Sequence, residues 1–140
     1  MNYGYIGGGS DIRRLPVANT AAVALGDMLK IDGAGSPYVT PAGAGDLVVG
    51  VALEACTIPT LDGDRYIMCE CSPTAHFEYL TDASGSIADT LMFKTCDISG
   101  AQEIDIGAST NDIIIIIGVD TDRLTVIVTI DFSKALTGVV

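Results

Sequence analysis

Asp112-Ile113-Ile114-Ile115-Ile116-Ile117-Gly118 decides how this chain is read. Five consecutive β-branched residues bounded by Asp and Gly are too short and too stiff at χ1 for a stable helix, and they fit a strand. Side chains alternate along a strand, so the run presents isoleucine to both sides of its sheet. It is expected to be a central strand covered on both faces. Left open, it would be a template for aggregation.

Working outward, the rest of the chain has the same character. Sixteen Gly and five Pro fall in nearly every gap between apolar runs, and no long segment keeps a 3.6-residue apolar period. Strands are expected at Ala21 to Ala24, Asp27 to Ile31, Leu47 to Glu54, Arg65 to Cys71, His76 to Leu80, Thr90 to Thr95, Asp112 to Gly118 and Arg123 to Phe132. Short strands at this spacing predict an all-β fold, a small β-barrel or β-tulip-like sandwich. With 140 residues, of which 49% are hydrophobic and 18% charged, the chain suits one domain with a buried core.

The first seventeen residues differ. Gly4, Gly7, Gly8 and Gly9 suggest a flexible arm over residues 1–17, while Tyr3, Tyr5, Ile6, Ile12 and Leu15 offer apolar contacts. Residues 18–140 are then a single β domain. Within it a faint repeat suggests a diverged internal duplication, with units 18–74 and 75–140. Gly50-Val51-Ala52-Leu53-Glu54 resembles Gly118-Val119-Asp120-Thr121-Asp122, and Asp64-Arg65-Tyr66-Ile67 resembles Asp122-Arg123-Leu124-Thr125.

Acidic side chains outnumber basic ones 18 to 7, a net charge of −11 and a pI near 4.1. That balance repels a phosphate backbone and anionic lipid, so neither nucleic acid nor membrane is expected as a partner. The arm is locally basic, with Asp11 against Arg13 and Arg14, and the remaining 123 residues carry about −12. Met1 to Ser10 has no basic start or apolar core of signal-peptide type, so the chain is expected to be made in a cytoplasm. Cys56, Cys69, Cys71 and Cys96 accordingly read as buried thiols rather than a disulfide framework.

Catalytic patterns are weak. Cys69 and Cys71 share one face of a strand with His76 five residues on, but zinc ligands usually sit on a knuckle turn, and two small buried thiols are the simpler account. His76, the single histidine, falls in an alternating strand away from any G-x-S-x-G turn. Asp and Glu cluster beside Gly, as in Leu61-Asp62-Gly63-Asp64, where a carboxylate caps turn amides. Tyr5-Ile6-Gly7-Gly8-Gly9-Ser10-Asp11 fails the G-x-G-x-x-G spacing at Ile12. No catalytic, cofactor or metal site is expected.

Gly118 to Arg123 with the alternating Thr125 to Ile130 is loosely similar to a hairpin of trimeric dUTP pyrophosphatases, whose phosphate loop and C-terminal motif are absent. A closer likeness runs through Val23-Ala24-Leu25-Gly26-Asp27-Met28-Leu29-Lys30, Tyr38-Val39-Thr40-Pro41-Ala42, Val49-Gly50-Val51-Ala52-Leu53-Glu54-Ala55 and Gly63-Asp64-Arg65-Tyr66-Ile67. This order resembles the head decoration, or capsid cement, proteins of tailed bacteriophages. It covers Ala18 to Cys71. The resemblance implies a virion protein on the capsid exterior that binds the major capsid protein lattice and stabilises it. It also implies a homo-oligomer, with a trimer favoured, and an N-terminal arm that orders on the shell. Tyr3, Tyr5, Ile12, Arg13, Arg14 and Leu15 are the expected capsid contacts. Deleting residues 1–15 should then leave the body folded and weaken docking. The alternative is a surface adhesion or carbohydrate-binding module of a virion. Against it, Trp is absent and Tyr38, Tyr66, Phe77, Tyr79, Phe93 and Phe132 are expected mostly inside the core.

Overall fold

The computed structural model describes residues 3–137; Met1, Asn2 and 138–140, which the arm and domain spans include, lie outside the described residues. Eleven strands and one short helix follow in the order β1 (Gly4–Gly8), β2 (Ile12–Pro16), β3 (Met28–Ile31), β4 (Val39–Pro41), β5 (Gly50–Ala52), β6 (Tyr66–Glu70), β7 (Ala75–Thr81), β8 (Thr95–Gly100), β9 (Glu103–Asp105), β10 (Ile114–Asp120), β11 (Thr125–Ile130) and α1 (Ser133–Thr137). The fold is all-β, as the breaker-punctuated sequence predicts.

The later strands close on themselves. β7, β11, β10, β8 and β9 pair in that order, and a parallel pairing of Leu80 and Thr81 with Glu103 and Ile104 joins β9 back to β7. The earlier strands form a five-stranded sheet, β2-β6-β5-β3-β4, and Val17 bridges Val39 in parallel to bring its ends together. Counted within each half, both circuits run first, fifth, fourth, second, third, and both are joined by a parallel contact between first and third. The first circuit starts at Ile12, inside the segment read as an arm.

That segment is the main correction. β1 pairs with β7 from Gly4↔Glu78 to Gly8↔Ala75, and β2 pairs with β6 from Ile12↔Glu70 to Pro16↔Tyr66. Residues 4–16 and 66–78 therefore form one antiparallel ribbon that passes from one sheet to the other. At the crossing Gly9 N donates to Thr74 O (3.1 Å) and Cys71 N to Asp11 O (2.9 Å). The glycines serve close approach rather than flexibility: a Cβ on Gly9 would overlap Thr74 Oγ1, and one on Gly26 would overlap Tyr3 O. Ser10 and Asp11 are fixed by Glu70, which is fully buried. Its carboxylate accepts from Ser10 Oγ (2.7 Å), Asp11 N (2.6 Å) and Ser72 N (3.1 Å).

Two cores result. Leu29, Ala52, Ile67 and Cys69 join Val17, Val23 and Val39 in the smaller one. Met28 and Val51, adjacent to Leu29 and Ala52 and so on the opposite face, join the larger one with Phe77, Tyr79, Ile98, Ile114, Ile116, Val126 and Val128. The halves are also tied by Tyr79 Oη donating to Gly26 O (2.8 Å), Met28 N to Ala101 O (2.7 Å) and Gln102 Nε2 to Asp27 Oδ1 (2.9 Å).

Other strand expectations shift locally. Ala21 to Ala24 contributes only a bridge, Val23↔Cys56. Thr90 to Thr95 is a 3-10 turn at Asp89–Leu91 followed by the start of β8. The isoleucine run is covered less evenly than expected: Ile113, Ile114 and Ile116 are buried and Ile117 is half-buried, while Ile115 is 40% exposed. All four cysteines are free thiols, and the half-buried His76 sits in β7.

Candidate interaction surface

The six expected contact residues do not form one patch, because strand alternation and the crossing divide them. Tyr3 is half-buried against the larger core. Tyr5 lies edge-on to Phe77, ring centroids 6.1 Å apart at 63°. Leu15 packs on the smaller core. Arg13 shares that side of β2 and pairs with Asp11 at 3.1 Å; this carboxylate holds the guanidinium pKa above its ordinary value. With Leu15, Ile31, Val39, Val49, Phe132 and Leu136, Asp11 and Arg13 line a groove of about 330 Å³ between β2 and α1.

Ile12 and Arg14 face the other way. Directly opposite residues on paired strands share a face, so Arg14↔Met68 and Pro16↔Tyr66 place Ile12, Arg14, Met68 and Tyr66 side by side. Ile12 and Tyr66 are each 52% exposed. The Arg14 guanidinium carbon stands 5.3 Å from the centre of the Tyr66 ring, a cation–π contact that orients both side chains. Toward the middle of the sheet the same face disappears beneath the second half, where Val51 and Met28 are buried. The exposed strip is therefore the open margin of an apolar face.

Arg14 puts a positive charge on this strip, while Arg13, paired with Asp11, belongs to the groove side of β2, and exposed Arg65 precedes β6. Lys30 pairs with Asp46 (3.3 Å) and Arg123 with Glu78 (3.0 Å) elsewhere. The sequence reading missed Tyr66 and Met68, since Tyr66 was assigned to the core. The signal was present: Tyr66 and Met68 alternate with Ile67 and Cys69, and only one of those sets can point inward.

The thiols do not build a competing centre. Burial pushes Cys69 and Cys96 up to about 12 and Cys71 up to about 11, which lowers their thiolate fraction and hence their nucleophilicity. Among the described residues no three His, Cys, Asp or Glu side chains stand together as a metal site. The carboxylates that are best held serve the backbone: Asp97 accepts from Thr110 N, Asn111 N and Asp112 N at 2.9–3.1 Å.

No protein-family model, curated protein or solved structure matches the chain.

Proposed function

We propose that the chain is a structural docking protein of the capsid-cement kind. It seats the outer face of β2 and β6 on the exterior of an assembled phage head lattice and stabilises the shell by binding it. The observation that carries this reading is the Ile12, Arg14, Tyr66 and Met68 strip, an apolar and aromatic face with Arg14 stacked on its tyrosine at one margin of an acidic molecule. Aromatic and arginine side chains on a rigid strand pair are the residues that dominate protein interfaces, and they lose little conformational entropy on docking. The acidic remainder discourages adhesion elsewhere and leaves this margin as the complement to an acidic coat surface. The motif order that resembles the cement proteins supports the same reading. A protein that binds the assembled lattice, and not free subunits, adds its binding free energy at every site.

The test is co-sedimentation with capsids of the phage or prophage whose genome carries the gene, using expanded and unexpanded shells without decoration. Saturable binding to expanded shells is expected, and Tyr66→Ala should weaken it by about thirtyfold, the loss of one interface anchor of ~2 kcal/mol. Absence of binding to either shell, or binding indifferent to Tyr66→Ala, refutes the proposal.

A further inference from the structure

The two circuits share one strand order and differ at one edge. In the second, the edge of β7 that meets β9 at Leu80 and Thr81 is covered further back, over Ala75 to Glu78, by the antiparallel β1. In the first, the chain meets β4 at the Val17↔Val39 bridge, and the residues before it, Ile12 to Leu15, pair with β6 alone. Cys71 N donates to Asp11 O and Val17 N to Arg65 O, so by the alternation of an antiparallel ladder Arg13 and Leu15 also turn their N–H and C=O toward β6. Those of Ile12 and Arg14 point the opposite way, where among the described residues no strand pairs with them. The groove of about 330 Å³ opens along this edge, with Arg13 and Leu15 on one wall and Ile31, Pro37 and Val39 of the β3–β4 hairpin on the other.

We propose that the open edge of β2 takes a strand from another protein, an extended segment antiparallel to β2 with alternating apolar and acidic side chains. A row of unpaired N–H and C=O groups calls for backbone as its partner, and the same place in the second circuit holds a strand, β1, in that direction. Alternation then sets the side chains. Those on one face enter the groove beside Leu15, Ile31 and Val39, and those on the other lie beside Ile12 and Arg14. Arg14 is exposed and stacks on Tyr66, and among the described residues no carboxylate pairs with it, so an acidic side chain completes that face. A second copy is disfavoured as the source. Pro16 has no N–H and confines pairing to Ile12 to Arg14, so β2 laid against β2 would bring the arginines of both chains together. The site needs no capsid to be tested, and it stands or falls apart from the lattice reading.

The test is titration of the full chain with a capped seven-residue peptide alternating valine and glutamate, followed by amide NMR shifts and hydrogen exchange. Saturable shifts and slowed exchange are expected at the Ile12 and Arg14 amides, while those of Arg13 and Leu15, already held by β6, change little. Ile12→Pro removes an outward N–H without touching a bond to β6, and should raise the dissociation constant at least tenfold with circular dichroism unchanged. On the unaltered chain, a peptide alternating valine and lysine should bind at least tenfold more weakly. No saturable shift into the millimolar range, equal binding of the lysine peptide, or binding by a folded Ile12→Pro chain as tight as by the original overturns the proposal. So does slow exchange of both amides before any peptide is added, which would show the edge filled by residues 138–140 or by a second copy.

Discussion

Removing residues 1–15 is the sharpest test of how the molecule is held together, because a flexible arm and a structural strand predict opposite outcomes. The deletion takes away β1 and most of β2, and with them Ser10 Oγ and Asp11 N, two of the three donors that Glu70 holds in a fully buried position. Hydrogen bonds to a charged acceptor are worth about 1.5–3 kcal/mol each, so this carboxylate alone accounts for roughly 3–6 kcal/mol. One edge of β6 and the first half of one edge of β7 also lose their partners. Against a total stability of about 5–15 kcal/mol for a domain, the loss is decisive. With a urea slope of about 2 kcal/mol per molar, the midpoint should fall by ~2 M or more, or the chain should not fold. Ser10→Ala, which removes one donor, should lower it by about 0.75–1.5 M. Urea melts followed by circular dichroism read both. A truncated chain whose midpoint stays within about 0.5 M of the full one would show that the segment is an arm after all.

Phe93→Gly should stabilise the isolated chain by about 1 kcal/mol, a few degrees in Tm by calorimetry at low concentration, because glycine adopts φ 65° without strain. Cys69 and Cys96 should remain silent to a thiol reagent at pH 8 in the folded protein, and all four cysteines should react in urea, as colorimetric titration would show. The same thiols set an alkaline limit. Folding raises their pKa values from 9.0 to about 11–12, so their full contribution is present below about pH 9. Above it the unfolded chain sheds protons that the folded one keeps, and stability should decline progressively toward pH 12 in melts taken from pH 8 upward.

What the sequence revealed was set by local pattern. The five isoleucines and the alternation in Arg65 to Cys71 carry their strand assignment without outside help, and the Gly- and Asp-rich gaps mark turns that the structure confirms, with Asp46 capping Gly43 N and Asp64 capping Leu61 N. What stayed hidden depends on residues far apart in the chain. Gly4, Gly8 and Gly9 look flexible because composition cannot display the backbone at 26 and 74 that they lie against. Glu70 looks like an ordinary surface carboxylate until Ser10, sixty residues earlier, is found donating to it. Ile12 and Arg14 stand out in the sequence, but their neighbours Tyr66 and Met68 come from a strand more than fifty positions away. Tyr66 and Phe93 were placed in the core on size and type alone, and both are exposed.

The ribbon formed by 4–16 and 66–78 also sets a timetable. On a ribosome adding about 5–20 residues per second, β1 emerges with no partner and waits some 3–14 s for Ala75–Glu78 to be made. The earliest described strand thus waits for the first strand of the second circuit, while the strands of the first circuit are all made before β7 begins. Synthesis holds an unpaired, glycine-rich edge open through half its course, and completion of β7 is the event that closes it.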